Sequence, residues 1–171
     1  MPVAASPLLA APPDPAAGEY LPYYARYVAL VPAGDVLAAL EAQLADTVAL
    51  VDRVGEARAG FRYAPGKWSV REVLGHVVDT ERIFTYRALC AARGETLALP
   101  GFDENAYVAH ARFDARPLGS LMGEFAAVRR ATLAFFRHLD DEELARRVTA
   151  NHATMTARAA AWLIAGHERH H

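Results

Sequence analysis

Apolar residues recur at steps of three and four along most of this sequence, which predicts helices rather than strands. The clearest stripe consists of Leu37, Leu40, Leu44, Val48 and Val51. It predicts one long amphipathic helix over residues 36–57, with Asp35 as its N-cap. Gly60 follows this segment and would end the helix.

Three more helical segments follow from the same spacing. They cover residues 70–92, residues 118–139 and a last stretch from about residue 156 to the end. Ser69 and Glu72 form an S-x-x-E capping box at the start of the first of them. Shorter helical turns are indicated near residues 105–111 and in the stretch DDEELARR. No alternating strand pattern persists, so we predict an all-α protein with the architecture of a four-helix bundle.

Composition and charge narrow the class of protein. The 171 residues fit one domain, and the net charge of −2 argues against a nucleic-acid partner. No apolar run approaches the ~18 residues that a membrane span needs. The Pro/Ala-rich start predicts a flexible tail over residues 1–19 before the bundle domain over residues 20–171, and it lacks a secretory signal pattern. We therefore expect a cytoplasmic location, and the single Cys90 excludes an internal disulfide.

The last helix carries a histidine spacing that points to metal chemistry. His167 and His171 continue its apolar stripe, so both are expected to face the bundle interior. Imidazoles at positions i and i+4 lie on adjacent turns and can bind one metal ion. His-Glu-x-x-His is also the signature of zinc peptidases, in which Glu168 would be the general base. That interpretation is disfavoured because peptidases take a third ligand from downstream, and we expect Glu168 at the edge of the site.

A third candidate ligand lies on the second helix. His76 falls between the apolar residues Val73 and Val77, and a buried histidine needs a polar partner. If the bundle packs this turn beside the last helix, His76, His167 and His171 would form a three-imidazole site with one open position, as in catalytic zinc sites. The same histidines could instead be packed or solvated residues, and the terminal pair could begin a purification tag.

Charged residues near these histidines are candidates for catalytic or structural roles. Asp79 and Glu81 could orient an imidazole or accept a proton, so they are our candidate catalytic residues. Their spacing equally allows surface ion pairs with Arg82 or Arg87. Arg129 or Arg130 could meet an anionic group of a substrate, although a salt bridge to a helix carboxylate is the favoured role.

Four segments of the sequence resemble the DinB-like family of small helical bundles. The segments are KWSVREVLGHVVDTERIFTYRAL, LPGFDENAYV, AVRRATLAFF and AGHERHH, in this order. The family pattern has one histidine on the second helix and a His-x-x-x-His pair on the last, and it falls on His76, His167 and His171. The last helix of the family usually continues past this pair, so we expect either a clipped chain or a weaker site.

The resemblance implies a four-helix bundle that holds a divalent metal ion, often nickel or zinc, through these three histidines. Related members transfer low-molecular-weight thiols such as bacillithiol or mycothiol, isomerise maleylpyruvate with the help of a thiol, or are described as hydrolases without a known substrate. Dimers are common among them, so a homodimer is one expected assembly.

Three functional hypotheses stay open at the level of sequence. The first is a metal-dependent enzyme, a thiol S-transferase or a hydrolase of a small molecule, in which the metal lowers the pKa of a bound water or thiol. Its site would be roofed by the loop LPGFDENAY, through Asp103, Glu104 or Asn105. The second is a non-catalytic, stress-linked module that binds a metal or a small ligand. The third is a bundle whose histidines only pack.

Overall fold

The computed structural model describes residues 6–171, and within them the chain is mostly helical. In chain order the helices are α1 (Pro7–Ala10), α2 (Ala25–Val28), α3 (Val36–Val54), α4 (Val70–Ala92), α5 (Glu104–Ala111), α6 (Leu118–Phe136), α7 (Asp141–Ala145) and α8 (Ala157–His170). Two short strands, β1 (Arg147–Ala150) and β2 (Ala153–Thr156), lie between α7 and α8. The predicted helical fold is confirmed, with a small hairpin added to it. No helix within residues 6–171 combines the length and the apolar character that crossing a bilayer requires.

The four long helices α3, α4, α6 and α8 form the bundle. α4 packs against both α6 and α8, and α3 packs against the same two helices. Leu40 of α3, Phe125 of α6 and Trp162 of α8 are almost fully buried, and burying one such side chain stabilises the fold by about 1.5–3 kcal/mol. The core consists of two clusters of buried apolar residues. α4 contributes to both, through Phe84 in one and Val78 in the other.

The helix starts follow the capping chemistry indicated by the sequence. The Asp35 carboxylate accepts a hydrogen bond from the Leu37 amide at the start of α3. Ser69 and Glu72 form the capping box at the start of α4, which satisfies two backbone N–H groups that have no helical partner. α3 ends at Val54, earlier than predicted, and a short 3-10 turn follows it.

The β1–β2 hairpin was not predicted. Its strands pair antiparallel from Arg147 with Thr156 to Ala150 with Ala153. Asn151 and His152 form the two-residue turn, both with positive φ, as a tight hairpin of this hand requires. Each strand has only four residues, too few for an alternating pattern to stand out in the sequence. The hairpin matters for function because it carries Asn151 towards the cavity described below.

The N-terminal segment packs onto the bundle. Residues 1–5 of the predicted tail lie outside the described residues. Within residues 6–19, Leu9 is buried in the main core, and Glu19 forms an ion pair with Arg158 of α8. The backbone carbonyl of Glu19 also accepts from the Thr156 amide (2.9 Å). These contacts depend on individual side chains such as Leu9 and Glu19, which the Pro/Ala-rich composition does not register; the flexibility of the tail stays a prediction.

Candidate metal centre

Two adjacent helices position the three predicted histidines. His76 lies in the second turn of α4, and His167 and His171 lie at the C-terminal end of α8. α4 and α8 pack against each other, and the cap at Ser69 fixes the start of α4 shortly before His76. The N-terminal part of α4 therefore meets the C-terminal end of α8.

The structure brings these three histidines together. One ring nitrogen from each can be chosen so that all three lie within 4.8 Å of one another. The Nε2 atoms of His76 and His167 are 3.1 Å apart. The ring of His171 is centred 4.9 Å from that of His76 and 4.6 Å from that of His167. Two imidazoles from α8 and one from α4 therefore converge on one point.

The donor set and its spacing fit a divalent metal ion. In a tetrahedral site with metal–nitrogen bonds of about 2.0–2.1 Å, two ligand nitrogens stand roughly 3.3 Å apart. The His76–His167 separation of 3.1 Å is close to this value. A hydrogen bond between two imidazoles would give a similar distance, so the fit depends on His171 bringing a third nitrogen to the same point.

Burial keeps the three imidazoles neutral. Desolvation lowers the pKa of His76 to about 4 and that of His167 to about 2, and at His167 the neighbouring histidines add to the shift. His171 is exposed as the last residue, but its ring lies against the other two, and desolvation lowers its pKa to about 4. Neutral imidazole is the form that binds a metal, so the cluster is ready to do so well below pH 7.

All three histidines line a cavity of about 360 Å³, which we call the polar cavity. Its other lining residues include Tyr27, Thr80, Arg87, Phe102, Glu104 and Asn151. A volume of this size is typical of small-molecule sites. A small molecule in the polar cavity would therefore reach the histidine cluster directly.

Trp68 and His171 also line a second cavity of about 340 Å³, which we call the apolar cavity. Most of its wall comes from apolar side chains of α3 and α4, such as Leu50 and Val77. The indole ring of Trp68 lies 4.7 Å from the ring of His76. Trp68 and His171 therefore line both cavities and form the boundary between them, whereas His76 and His167 line the polar cavity.

Two glycines allow the close packing that the cluster needs. A Cβ atom on Gly166 would lie well under 3.0 Å from the backbone carbonyl of Tyr27, so α2 can cross α8 here only because Gly166 has no side chain. A Cβ atom on Gly75 would similarly collide with the ring of Phe113. Each glycine directly precedes one of the histidines, so these close approaches fix the backbone at the site.

Comparison with known proteins places the chain in a family. The sequence profile of the DinB superfamily matches residues 39–171. The chain belongs to the DinB superfamily. No curated protein sequence matches it at a significant level.

Two solved structures show how the DinB-superfamily fold of this chain compares with others. The first is YfiT from Bacillus subtilis, described as a probable metal-dependent hydrolase with an unusual four-helix bundle topology. It superposes with a TM-score of 0.61 at 18% identity, over 86% of this chain and 80% of YfiT.

The second is a mycothiol-dependent maleylpyruvate isomerase, with a TM-score of 0.65 at 14% identity over 78% of this chain. The match covers 56% of the isomerase chain, so this chain spans little more than half of that protein. At 18% and 14% sequence identity, these two structural similarities establish the fold alone.

In this DinB-superfamily chain, Glu81 lies in a buried charge cluster together with Arg129 and Glu168. Arg129 donates to both carboxylate oxygens of Glu81 (2.9 and 2.8 Å) and to Glu168 Oε2 (2.7 Å). Gln43 and Thr47 of α3 donate to the same Glu168 carboxylate at 2.6 Å each. The favoured salt-bridge role of Arg129 is thus what the structure shows.

The charge cluster changes how the two glutamates are interpreted. Glu168 was expected at the edge of the site, but it points into the bundle and bonds to α3 and α6, because its helical position faces those helices. Its carboxylate accepts hydrogen bonds from Arg129, Gln43 and Thr47, which does not suit the general base of a peptidase. Glu81, predicted as a catalytic residue, has both carboxylate oxygens bonded to Arg129 and forms no hydrogen bond with the histidines among residues 6–171.

Asp79, the other predicted catalytic residue, also lies apart from the histidine cluster. Its carboxylate is 3.6 Å from Arg82, within α4. Partial burial raises the pKa of Asp79, and the charge of Arg82 opposes that rise. Asp79 is not among the residues that line the polar cavity. These contacts give no support to a catalytic role for Asp79.

The loop predicted to roof the site does so in part. Glu104 and the neighbouring Phe102 line the polar cavity, while Asn105 faces a separate small cavity on the surface. The sequence did not identify Trp68 or Asn151 as parts of the site. The one signal for Trp68 in the sequence is its position directly before the capping box, which does not by itself indicate a role in the site. Asn151 belongs to the unpredicted hairpin and carried no signal.

Proposed function

We propose that this chain binds one divalent metal ion through His76, His167 and His171. The observation that carries the proposal is the convergence of three neutral imidazoles, with ring nitrogens within 4.8 Å of one another, on the wall of the polar cavity. Three protein ligands with one open position are the ligand set of a catalytic rather than a structural site. Imidazole donors suit both zinc and nickel.

We further propose that the site acts on a small molecule as a hydrolase or a thiol transferase. A metal bound there would lower the pKa of a water or thiol and so supply hydroxide or thiolate near neutral pH. The hydroxyl of Thr80, 3.5 Å from His76 Nδ1, orients that imidazole from the side away from the cluster. Trp68 covers one side of His76 and limits the access of bulk water.

The two reaction classes have support of different kinds. YfiT, which shares the fold, is named as a probable metal-dependent hydrolase. The isomerase that shares the fold is named as dependent on mycothiol, which makes a low-molecular-weight thiol the natural cosubstrate to test. The polar cavity of about 360 Å³ is large enough for one small substrate beside the histidines.

The test of metal binding is elemental analysis of untagged protein and its histidine variants. We expect about one divalent ion per chain in the wild type and its loss in His76→Ala, because two imidazoles cannot retain the ion through purification. His138→Ala is the matched control, since His138 is an exposed histidine that lies outside both the cluster and the polar cavity. Equal metal content in wild type and His76→Ala would remove the basis of the proposal.

A second measurement separates an enzyme from a non-catalytic binding module. The metal-loaded protein is assayed with a panel of thiols and ester or amide substrates, in parallel with His76→Ala and His138→Ala. An enzyme would lose turnover in His76→Ala and keep it in His138→Ala. Stoichiometric metal without turnover of any substrate in the panel would favour the binding module.

A further inference from the structure

Arg87 is a buried arginine whose charge has no counter-ion in this structure. It lies on α4 and is 5% exposed. Its Nη2 donates to the backbone carbonyl of Pro100 at 3.2 Å. Within residues 6–171, no carboxylate oxygen lies within 4.0 Å of its guanidinium. A buried charge without a partner is costly, so its presence calls for an explanation.

The guanidinium of Arg87 faces the polar cavity that also holds the three histidines. Apolar rings flank it, with the centres of Phe84 and Phe102 at 5.4 and 5.9 Å from its central carbon. Glu104, the acidic residue of this cavity wall, is exposed and forms no ion pair with it. Burial accordingly lowers the pKa of Arg87, whereas Arg129, which has two carboxylates, has a raised pKa despite its own burial.

The position of Arg87 on α4 sets its distance from the histidine cluster. His76 and Arg87 are eleven positions apart, about three helical turns, so both project from the same face of α4. The two Cα atoms are therefore separated by roughly 16 Å along the helix axis. Thr80 and Phe84 lie between them on the same face and line the same cavity. The cavity thus runs along α4 from the histidine cluster to Arg87.

We propose that Arg87 binds a carboxylate group of the substrate, at the end of the molecule remote from the group that reacts at the histidine cluster. The planar guanidinium can bind a carboxylate through two parallel hydrogen bonds, and its one bond to the protein leaves donors free. The substrate class is accordingly an elongated small molecule with an acidic end. This inference rests on the proposed function for the reacting end, whereas anion binding by Arg87 does not need the metal.

The first experiment tests anion binding in metal-free protein. The probes are 6-mercaptohexanoate and 6-mercaptohexanamide, which differ only in the charge of one end. We expect the carboxylate, and not the amide, to shift the side-chain Nε–H resonance of Arg87 saturably in two-dimensional NMR spectra. The Arg129 resonance should stay unchanged, because its donors are already occupied. Equal effects of both probes, or shifts confined to Arg26 at the cavity mouth, would overturn the proposal.

Variants sharpen this experiment. Arg87→Gln should weaken binding of the carboxylate at least tenfold, while Arg130→Gln, an exposed arginine of α6, should leave it unchanged. Thermal unfolding distinguishes recognition from a structural role. Loss of an unpaired buried charge should leave the melting temperature of Arg87→Gln unchanged or raised, whereas a structural arginine would lower it. If this variant does not fold, the NMR titration of the wild type still decides the question.

The second experiment links Arg87 to the metal centre. Nickel-loaded protein is titrated with the same two thiols, and thiol binding is followed by visible absorbance. We expect the carboxylate to bind at least tenfold more tightly than the amide, with the difference lost in Arg87→Gln. Failure of nickel to bind would overturn the proposed function and leave the metal-free result standing. Stoichiometric nickel with equal affinity for both thiols would overturn the Arg87 proposal alone.

Discussion

Two polar clusters lie between α4 and α8, and they differ in how their groups are satisfied. In the charge cluster, Glu81 of α4 and Glu168 of α8 share Arg129, so every charge has an opposite neighbour within 2.9 Å. In the histidine cluster, the ring nitrogens of His76 of α4 and His167 of α8 have only other imidazoles and Thr80 as polar partners within residues 6–171. His167 and Glu168 are neighbours in sequence, yet His167 lines the polar cavity whereas the Glu168 carboxylate bonds to residues of α3 and α6.

The difference separates groups that hold the helices together from groups that remain available for binding. A satisfied ion pair fixes the position of α8 relative to α3, α4 and α6, and it leaves no donor or acceptor for a ligand. The neutral imidazoles contribute less to the fold, and their lone pairs stay free. We infer that the charge cluster holds α8 in place so that the histidines stay aligned.

Removal of Arg129 should have the largest effect on stability. Arg129→Met would leave Glu81 and Glu168 buried without a counter-charge, which is expected to cost about 3–5 kcal/mol in the free energy of unfolding. Urea denaturation of metal-free protein measures this cost. Arg130→Met, at an exposed position of the same helix, should stay within about 0.5 kcal/mol of the wild type. A loss of less than about 1 kcal/mol for Arg129→Met would show that the cluster does not anchor α8.

Acidification should destabilise the metal-free protein through the histidine cluster. In the unfolded chain these histidines take up protons near pH 6.5, whereas His76 and His171 in the folded state do so only at about pH 4. The unfolded state thus binds more protons between these values, and stability falls as the pH falls through this window.

The slope should approach about 1.4 kcal/mol per pH unit for the buried His76, and the exposed His171 should add less because solvent screens its charge. Urea midpoints at several pH values measure it. His76→Asn should flatten the profile because asparagine does not titrate, and an unchanged profile would contradict the neutral state of His76. For the same reason, metal affinity should hold steady from pH 7 to pH 5 and weaken as the pH approaches 4.

An added methyl group at Gly166 should have a smaller effect on stability and a clear effect on the site. The Cβ atom of Gly166→Ala would collide with the Tyr27 backbone, and such overpacking costs about 1–3 kcal/mol. Metal content should also fall, because His167 must move with the backbone. Gly123→Ala in α6 is the control: apart from its own helix backbone, no atom of residues 6–171 lies within 4 Å of its added Cβ, and alanine should stabilise that helix by up to about 1 kcal/mol. Equal behaviour of the two variants would contradict the close approach at Gly166.

The smallest effect is expected at Asp79. Its contact with Arg82 is long and half exposed, so Asp79→Asn should change the free energy of unfolding by less than about 1 kcal/mol. Metal content should stay at the wild-type value, because Asp79 stands apart from the histidine cluster. If Asp79→Asn instead abolished turnover while metal was retained, the catalytic role predicted from the sequence would be restored.

The sequence by itself determined the long helices, their caps and the positions of the three histidines. Apolar spacing and the capping pair Ser69 and Glu72 are local signals, because they depend on residues within one or two helical turns. His167 and His171 could be assigned to the inward face of α8 for the same reason. The β1–β2 hairpin was not predicted because strands of four residues are too short to show a clear alternation of apolar and polar residues.

Only the tertiary structure decided which polar residues meet. Helical periodicity says that a side chain faces inward, but the neighbour it finds there depends on how helices far apart in sequence are packed. Glu81 thus bonds to Arg129, 48 positions away, while His76 on the same helix reaches His167, 91 positions away. Arg87 was left without a counter-ion in the cavity by the same packing. Long-range packing, which no local pattern encodes, therefore separates the groups that stabilise this protein from those free to bind.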